Sequence, residues 1–164
     1  MTDINKLSKE VERAPKTLFL DIDGTLIEFP ETYEKFKKIP HNKNVKVLPG
    51  VIDKLWRWAS EGHNIILTTG RNESMREITE KSLQRAGIIY DQLVMGLGPG
   101  KRYIINDVNG DHNTAFAINV KRNEGLEKVD LTTVEMNTKR EKIDYAYSRK
   151  VLDHYHDRGL DVDD

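Results

Sequence analysis

Two aspartates one residue apart, Asp21 and Asp23, end the apolar run Leu18-Phe19-Leu20 and begin the segment Asp21-Ile22-Asp23-Gly24-Thr25. Carboxylates this close repel one another unless a cation lies among them or one takes up a proton. A small set of hard oxygen ligands suits Mg²⁺, which prefers one or two carboxylates and keeps waters and substrate phosphate oxygens as its other ligands. A carboxylate can also attack phosphorus to give an aspartyl phosphate. A second acid two residues on can protonate the leaving oxygen and later take a proton from the hydrolytic water. Other polar residues close later apolar runs: Thr69 follows Ile65-Ile66-Leu67-Thr68, Lys101 follows the glycine-rich Gly96-Leu97-Gly98-Pro99-Gly100, and Asp107 and Asp111 follow Tyr103-Ile104-Ile105. Lys101 would offset charge on nucleophile and phosphate, while the Thr69 hydroxyl and the next backbone N–H would hold a phosphoryl oxygen. Taken singly, Thr69 reads also as a helix cap, Lys101 as a solvated loop lysine and Asp111 as a turn residue in Asn109-Gly110-Asp111.

For these residues to meet, the runs that carry them must be strands of one sheet. Short apolar runs alternate with helical patterns, the signature of parallel strands joined by covering helices. In such a sheet, ligands gather beyond the carboxyl ends of the strands. The expected class is α/β, a Rossmann-like three-layer fold around a central parallel sheet. Strands are expected over residues 17–20, 64–68, 93–95 and 103–105. Pro49-Gly50 opens a helix with Val51, Leu55 and Ala59 on one face and Ile52 and Trp56 beside them, stopped by Gly62. Met75, Ile78, Ser82 or Leu83, and Ala86 mark a second helix closed by Gly87. Residues 115–120 supply a further short helix or strand, and the stretch from Glu28 to Lys46, within a 24–48 flap region, has no clear period. Ile143, Tyr147, Val151 and Tyr155 recur every four residues, which predicts a helix within a C-terminal extension over 127–164. Residues 1–15 read as a helical or loose lead-in.

The 164 residues predict a single domain over 1–164. With 26 basic and 27 acidic residues, no global field draws the chain to nucleic acid or to an anionic membrane. The absence of cysteine excludes disulfides, thiolate zinc sites and thiol nucleophiles. The longest apolar runs fall far short of the ~20 residues that span a bilayer, and residues 1–16 have the character of neither a signal nor a transit peptide. The expected location is cytoplasmic, with no membrane partner.

In their order and setting, these segments resemble the four signature motifs of the haloacid dehalogenase (HAD) superfamily of phosphohydrolases, from Thr17 to Gly125. The resemblance implies that Asp21 is the nucleophile and that Asp23 is the acid/base, lending its backbone carbonyl to Mg²⁺. Thr69 before Gly70-Arg71 is similar to the second motif, Lys101 to the third, and Asp107 with Asp111 to the fourth. The implied metal set is then Asp21, Asp23, Asp107 and Asp111. Asn106 departs from the family pattern, in which Gly or Asp commonly precedes the metal ligand. Members that pump ions carry Thr in place of Asp23 and dehalogenases lack this acid, so the carboxyl there implies a phosphatase.

The gaps between motifs leave no room for a large cap domain. The chain thus resembles capless members, which implies a large substrate filling the open site or a neighbouring subunit of a homo-oligomer closing it. Gly70, Arg71 and Asn72 are expected to contact substrate, with the flap lysines Lys35, Lys37, Lys38, Lys43 and Lys46 nearby. The expected function is Mg²⁺-dependent hydrolysis of a small phosphorylated metabolite, a sugar phosphate or nucleotide. The alternatives are a phosphatase of phosphoprotein or nucleic-acid 3′-phosphate, and a non-catalytic protein of this fold that docks a partner through its C-terminal stripe. Other patterns fail: Met95 and Arg102 stand where a P-loop needs Gly and then Ser or Thr, and His112 and Ile118 where a calcium loop needs Gly and Glu.

Overall fold

The structure, a computed structural model, describes residues 14–30, 32, 45–109 and 112–132. The lead-in before residue 14, most of the flap, Asp111 and the C-terminal helix expected within 135–155 lie outside the described residues. The chain divides into a unit over 1–129 and a second over 130–164. Of the second, residues 130–132 are described, and there the Thr132 N–H donates to the Asp130 carboxylate at 3.0 Å.

The first unit is built on a parallel sheet in the order β1 (Thr17–Asp21), β2 (Asn64–Thr68), β3 (Gln92–Val94). Helix α1 (Val51–Ser60) joins β1 to β2, and a single 3₁₀ turn (Glu73–Met75) with α2 (Arg76–Arg85) joins β2 to β3. A short antiparallel pair, β4 (Val108–Asn109) and β5 (His112–Asn113), follows. The register sets Leu20 beside Leu67 beside Leu93, and Asp21 beside Thr68 beside Val94. Among the described residues no helix is long and apolar enough to cross a membrane.

Right-handed crossovers between strands that follow one another in spatial order place both helices on the same face. Burial agrees, with Ile65 and Leu67 in the core along with Val51, Leu55 and Trp58 of α1 and Leu83 of α2. On the opposite face Phe19 is 57% exposed. Among the described residues the sheet is covered by α1 and α2, and no helix belonging to the expected third layer is described. The α/β class and the parallel sheet are as expected. The expected strand over 103–105 is not formed: Ile105 is 94% exposed, and no backbone ladder ties the run to β1. An apolar run becomes a strand only where a neighbour satisfies its N–H and C=O groups. Residues 115–120 likewise form no regular element.

Within α1 the buried face is Val51, Leu55 and Trp58, while Trp56 and the expected Ala59 are exposed. Positions i, i+4 and i+7 stay in phase with a 3.6-residue turn, and the large indole fills the last of them. Asp53 in the first turn and Arg57 in the last complement the helix dipole. Arg76 at the start of α2 pairs with Glu73 and Glu80 and donates to the Leu93 carbonyl at 3.1 Å, pinning the helix to β3.

Residues 121–129 cross back over the start of the unit as a strap. The Leu126 N–H donates to the Pro49 carbonyl at 2.9 Å, Leu126 is buried, and the Lys54 ammonium donates to the Val129 carbonyl. The strap needs glycine beneath it, since a Cβ on Gly50 (φ 71°) would lie 2.5 Å from Glu127 Cα. Gly96 has a similar φ of 75° but open space around it. Gly96→Ala should cost about 1 kcal/mol, the penalty for a left-handed alanine, and Gly50→Ala clearly more, in urea unfolding of the full chain. Equal losses would contradict the packing of the strap.

Candidate active site

The site forms where β1 and β2 end side by side. Beyond Asp21 the chain closes a tight turn in which the Leu26 and Ile27 N–H groups donate to the Ile22 carbonyl at 2.9 and 3.1 Å, and the Gly24 N–H donates to the Ile27 carbonyl at 2.8 Å. Ile22, Leu26 and Ile27 are fully buried, so three apolar side chains anchor the turn and leave Asp23, Gly24 and Thr25 at its tip. Gly24 adopts a φ of 90°, which an L side chain resists, and a Cβ there would press on Arg122 Cγ at 3.0 Å.

The strap holds this turn. The Asn123 N–H donates to the Gly24 carbonyl at 2.8 Å, and its side chain brackets Phe29, accepting from the Phe29 N–H at 2.7 Å and donating to the Phe29 carbonyl at 3.0 Å. Arg122 lies over the Phe29 ring, 4.7 Å from its centroid. The Glu28 N–H donates to the Lys46 carbonyl at 2.9 Å, and the two side chains pair at 2.6 Å, closing the neck of the flap.

At the end of β2 the ladder to β3 continues one step further. The Thr69 N–H donates to the Val94 carbonyl at 3.0 Å, the Thr69 carbonyl accepts from the Leu97 N–H at 3.2 Å, and the Arg71 carbonyl accepts from the Gly96 N–H at 2.8 Å. Gly70 passes so close to Gly98 that a Cβ would meet its carbonyl oxygen at 2.8 Å. This lacing fixes Thr69, Gly70 and Arg71 against the loop after β3.

The two aspartates have opposite surroundings. Asp23 is 11% exposed in its side chain and accepts a two-pronged contact from Arg71, Nη2 to Oδ1 at 2.6 Å and Nε to Oδ2 at 3.0 Å. The Thr69 hydroxyl donates to the same Oδ2 at 3.2 Å and accepts from the Arg71 N–H at 3.2 Å. Asp21 is 35% exposed, with Arg102 Nη2 at 3.2 Å from Oδ1 and the Thr25 hydroxyl at 3.5 Å from Oδ2. Burial pushes the Asp21 carboxyl above the ordinary value of 3.8, Arg102 opposes this, and the charge of Asp23 adds to it.

The structure brings Asp21, Asp23 and Thr69 together at adjoining strand ends, with Arg71 on Asp23 and Arg102 on Asp21. Arg71, expected at the substrate, has a side chain only 1% exposed that is turned inward to Asp23. Gly70 and Asn72 are exposed beside it. Lys101 is exposed and forms no ion pair among the described residues, while the neighbouring Arg102 meets Asp21. Arg102 carried one signal in the sequence, a second cation directly after Lys101. Asp107 is exposed, Asp111 lies outside the described residues, and no group of three or more His, Asp or Glu side chains able to hold a metal forms among the described residues. In donor type the Asp21 carboxylate and the Asp23 backbone carbonyl fit Mg²⁺, since both are hard oxygens and that ion needs few of them from protein.

No family profile matches the chain, and no curated protein does. Solved structures similar to it include a target protein from Vibrio cholerae, with 21% identity over 74% of this chain and 94% of that one and a TM-score of 0.46. A Pnkp1/Rnl/Hen1 complex shares 28% identity over 54% of this chain and 30% of that one, with a TM-score of 0.44. A D,D-heptose 1,7-bisphosphate phosphatase from B. bronchiseptica, complexed with magnesium and phosphate, shares 21% identity over 51% of each chain, with a TM-score of 0.37. These likenesses are partial, and the chemistry of the site rests on its own residues.

A carboxyl whose folded pKa is raised binds its proton more tightly folded than unfolded, so stability falls as pH rises from 3.8 through the raised value, and the cost is complete at neutral pH. Asp21→Asn should therefore melt above the wild type at neutral pH, with the gap narrowing as the pH drops below the ordinary carboxylate range. Coincident melting curves at every pH would contradict this electrostatic picture. Arg102→Gln should weaken binding of inorganic phosphate, followed by calorimetric titration, about tenfold or more, as for a lost charge-assisted hydrogen bond, and Lys101→Gln less than about twofold. The reverse ranking would return the cationic role to Lys101.

Proposed function

We propose that this protein is a Mg²⁺-dependent phosphomonoesterase of the haloacid dehalogenase kind, working through a phosphorylated Asp21 on a small phosphorylated metabolite, a sugar phosphate or nucleotide. The observation that carries the reading is the meeting of Asp21, Asp23 and Thr69 at the adjoining carboxyl ends of two parallel strands, with Arg102 on the nucleophile. Ligands in open parallel sheets bind at such ends.

In the first step, with Asp23 carrying a proton on its remaining Oδ1 position, an Asp21 oxygen forms a bond to phosphorus as the ester P–O bond breaks, and the departing alkoxide takes that proton. In the second, water attacks the phosphorus of phospho-Asp21, gives a proton back to Asp23 and releases inorganic phosphate, regenerating both carboxyls. Arg102 sits where it can offset charge on the phosphoryl group as the anionic nucleophile approaches. Thr69 holds Asp23 rather than standing free, so its hydroxyl serves the acid/base first. Mg²⁺, held by the Asp21 carboxylate and the Asp23 carbonyl, would screen the nucleophile from the phosphoryl oxygens.

The test is phosphate release from a panel of sugar phosphates, nucleotides, phosphopeptides, 3′-phosphorylated oligonucleotides and aryl phosphates, with Mg²⁺ or EDTA. Release should require the metal, be fastest on a small metabolite, and fall by about 10⁴-fold or more in Asp21→Asn. Fastest release from a phosphopeptide or oligonucleotide would replace the metabolite with a macromolecular substrate. Full activity in the Asp21→Asn variant would overturn the nucleophile assignment.

A further inference from the structure

A carboxylate offers about four acceptor positions, two on each oxygen. On Asp23, Oδ2 is occupied twice, by Arg71 Nε at 3.0 Å and the Thr69 hydroxyl at 3.2 Å. Oδ1 is occupied once, by Arg71 Nη2 at 2.6 Å. One acceptor position remains among these contacts, on Oδ1. The group that enforces this is itself held at every end. The Arg71 Nη1 donates to the buried Thr79 hydroxyl of α2 at 3.4 Å, its N–H donates to Thr69 Oγ1, and its carbonyl accepts from the Gly96 N–H. With its side chain 1% exposed, Arg71 cannot reach a substrate without leaving Asp23.

We infer that Arg71 is a positioning residue for proton transfer: its guanidinium fork, with Thr69, fixes the Asp23 carboxyl so that protons are exchanged at Oδ1 alone. The inference rests on the acid/base reading of Asp23 and goes beyond it, since it removes Arg71 from the substrate-binding set and gives it a task in the chemistry. A planar fork can hold both oxygens of a carboxylate at once, which a lysine ammonium cannot. Loss of the fork lets the carboxyl turn about its side-chain bonds. Attack by Asp21 continues, but the leaving oxygen no longer meets its proton donor in line.

Leaving groups separate this role from a structural or substrate-binding one. Nitrophenolate leaves p-nitrophenyl phosphate with little need of a proton, whereas the much more basic phenolate of phenyl phosphate needs one. In the full chain, Asp23→Asn and Arg71→Lys should each lower kcat/KM on phenyl phosphate by about 100-fold but on p-nitrophenyl phosphate by less than about 10-fold. Added guanidinium should restore phenyl phosphate turnover to Arg71→Ala. A selective loss in Asp23→Asn with an equal loss on both substrates in Arg71→Lys, or a change confined to KM, overturns the inference and leaves the acid/base reading standing. No selectivity in Asp23→Asn overturns that reading and the inference with it. Should the Arg71 variants lose the fold by circular dichroism, Thr79→Val loosens the fork without removing charge: selective loss on phenyl phosphate supports the inference, and an even loss overturns it.

Discussion

A carboxylate almost out of water must be paired and hydrogen-bonded, and the contact between Asp23 and Arg71 meets that demand with one guanidinium fork. The constraint reaches well beyond the two side chains. Arg71 can enter only if β2 ends level with β1, if the turn after β1 brings Asp23 inward, and if the loop after β3 supports Arg71 from behind. The buried Ile22, Leu26 and Ile27 hold the turn, and the close passage of Gly70 over Gly98 allows the support. The strap adds the last fastening, through Asn123 on Gly24 and Phe29. Sheet, turn, loop and strap thus converge on the geometry of one buried charge.

The contrast between the two aspartates follows from the same arrangement. Both leave β1 within three residues, yet Asp23 meets a guanidinium inside the fold while Asp21 stays partly open with Arg102 at its edge. In the proposed reaction this difference separates two tasks, attack by Asp21 and proton exchange by Asp23. Burial, and more weakly the charge of Asp23, push the Asp21 carboxyl above its ordinary value against the pull of Arg102. Such a site is less stable than its surroundings would otherwise be, a common cost of function.

Much of this frame is legible in the residues alone. β1, β2, α1 and α2 follow from apolar runs and helical spacing that local physics decides, and the first two aspartates and Thr69 follow from being at strand ends. The pairing of Asp23 with Arg71 was not legible, because it joins residues 48 positions apart and depends on where the two strands stop. Arg102 escaped for a related reason: Gly96 and Gly98 both take positive φ, and that path decides which of two adjacent cations reaches Asp21. In α1, helical phase rather than residue type selects Trp58 over Trp56 for the core. The run over 103–105 has the composition of a strand but no neighbour to pair with among the described residues, and composition alone could not reveal that.

The central claim is covalent, so the most direct measurement is chemical. A single turnover with a ³²P-labelled phosphate ester, quenched in acid within milliseconds and mapped by peptide mass spectrometry, would locate the phosphoryl group. The account predicts a transient acid-stable, hydroxylamine-sensitive label on Asp21, in the peptide that also carries Asp23. Label on another residue, or phosphate released with no labelled protein at any time point, would contradict it.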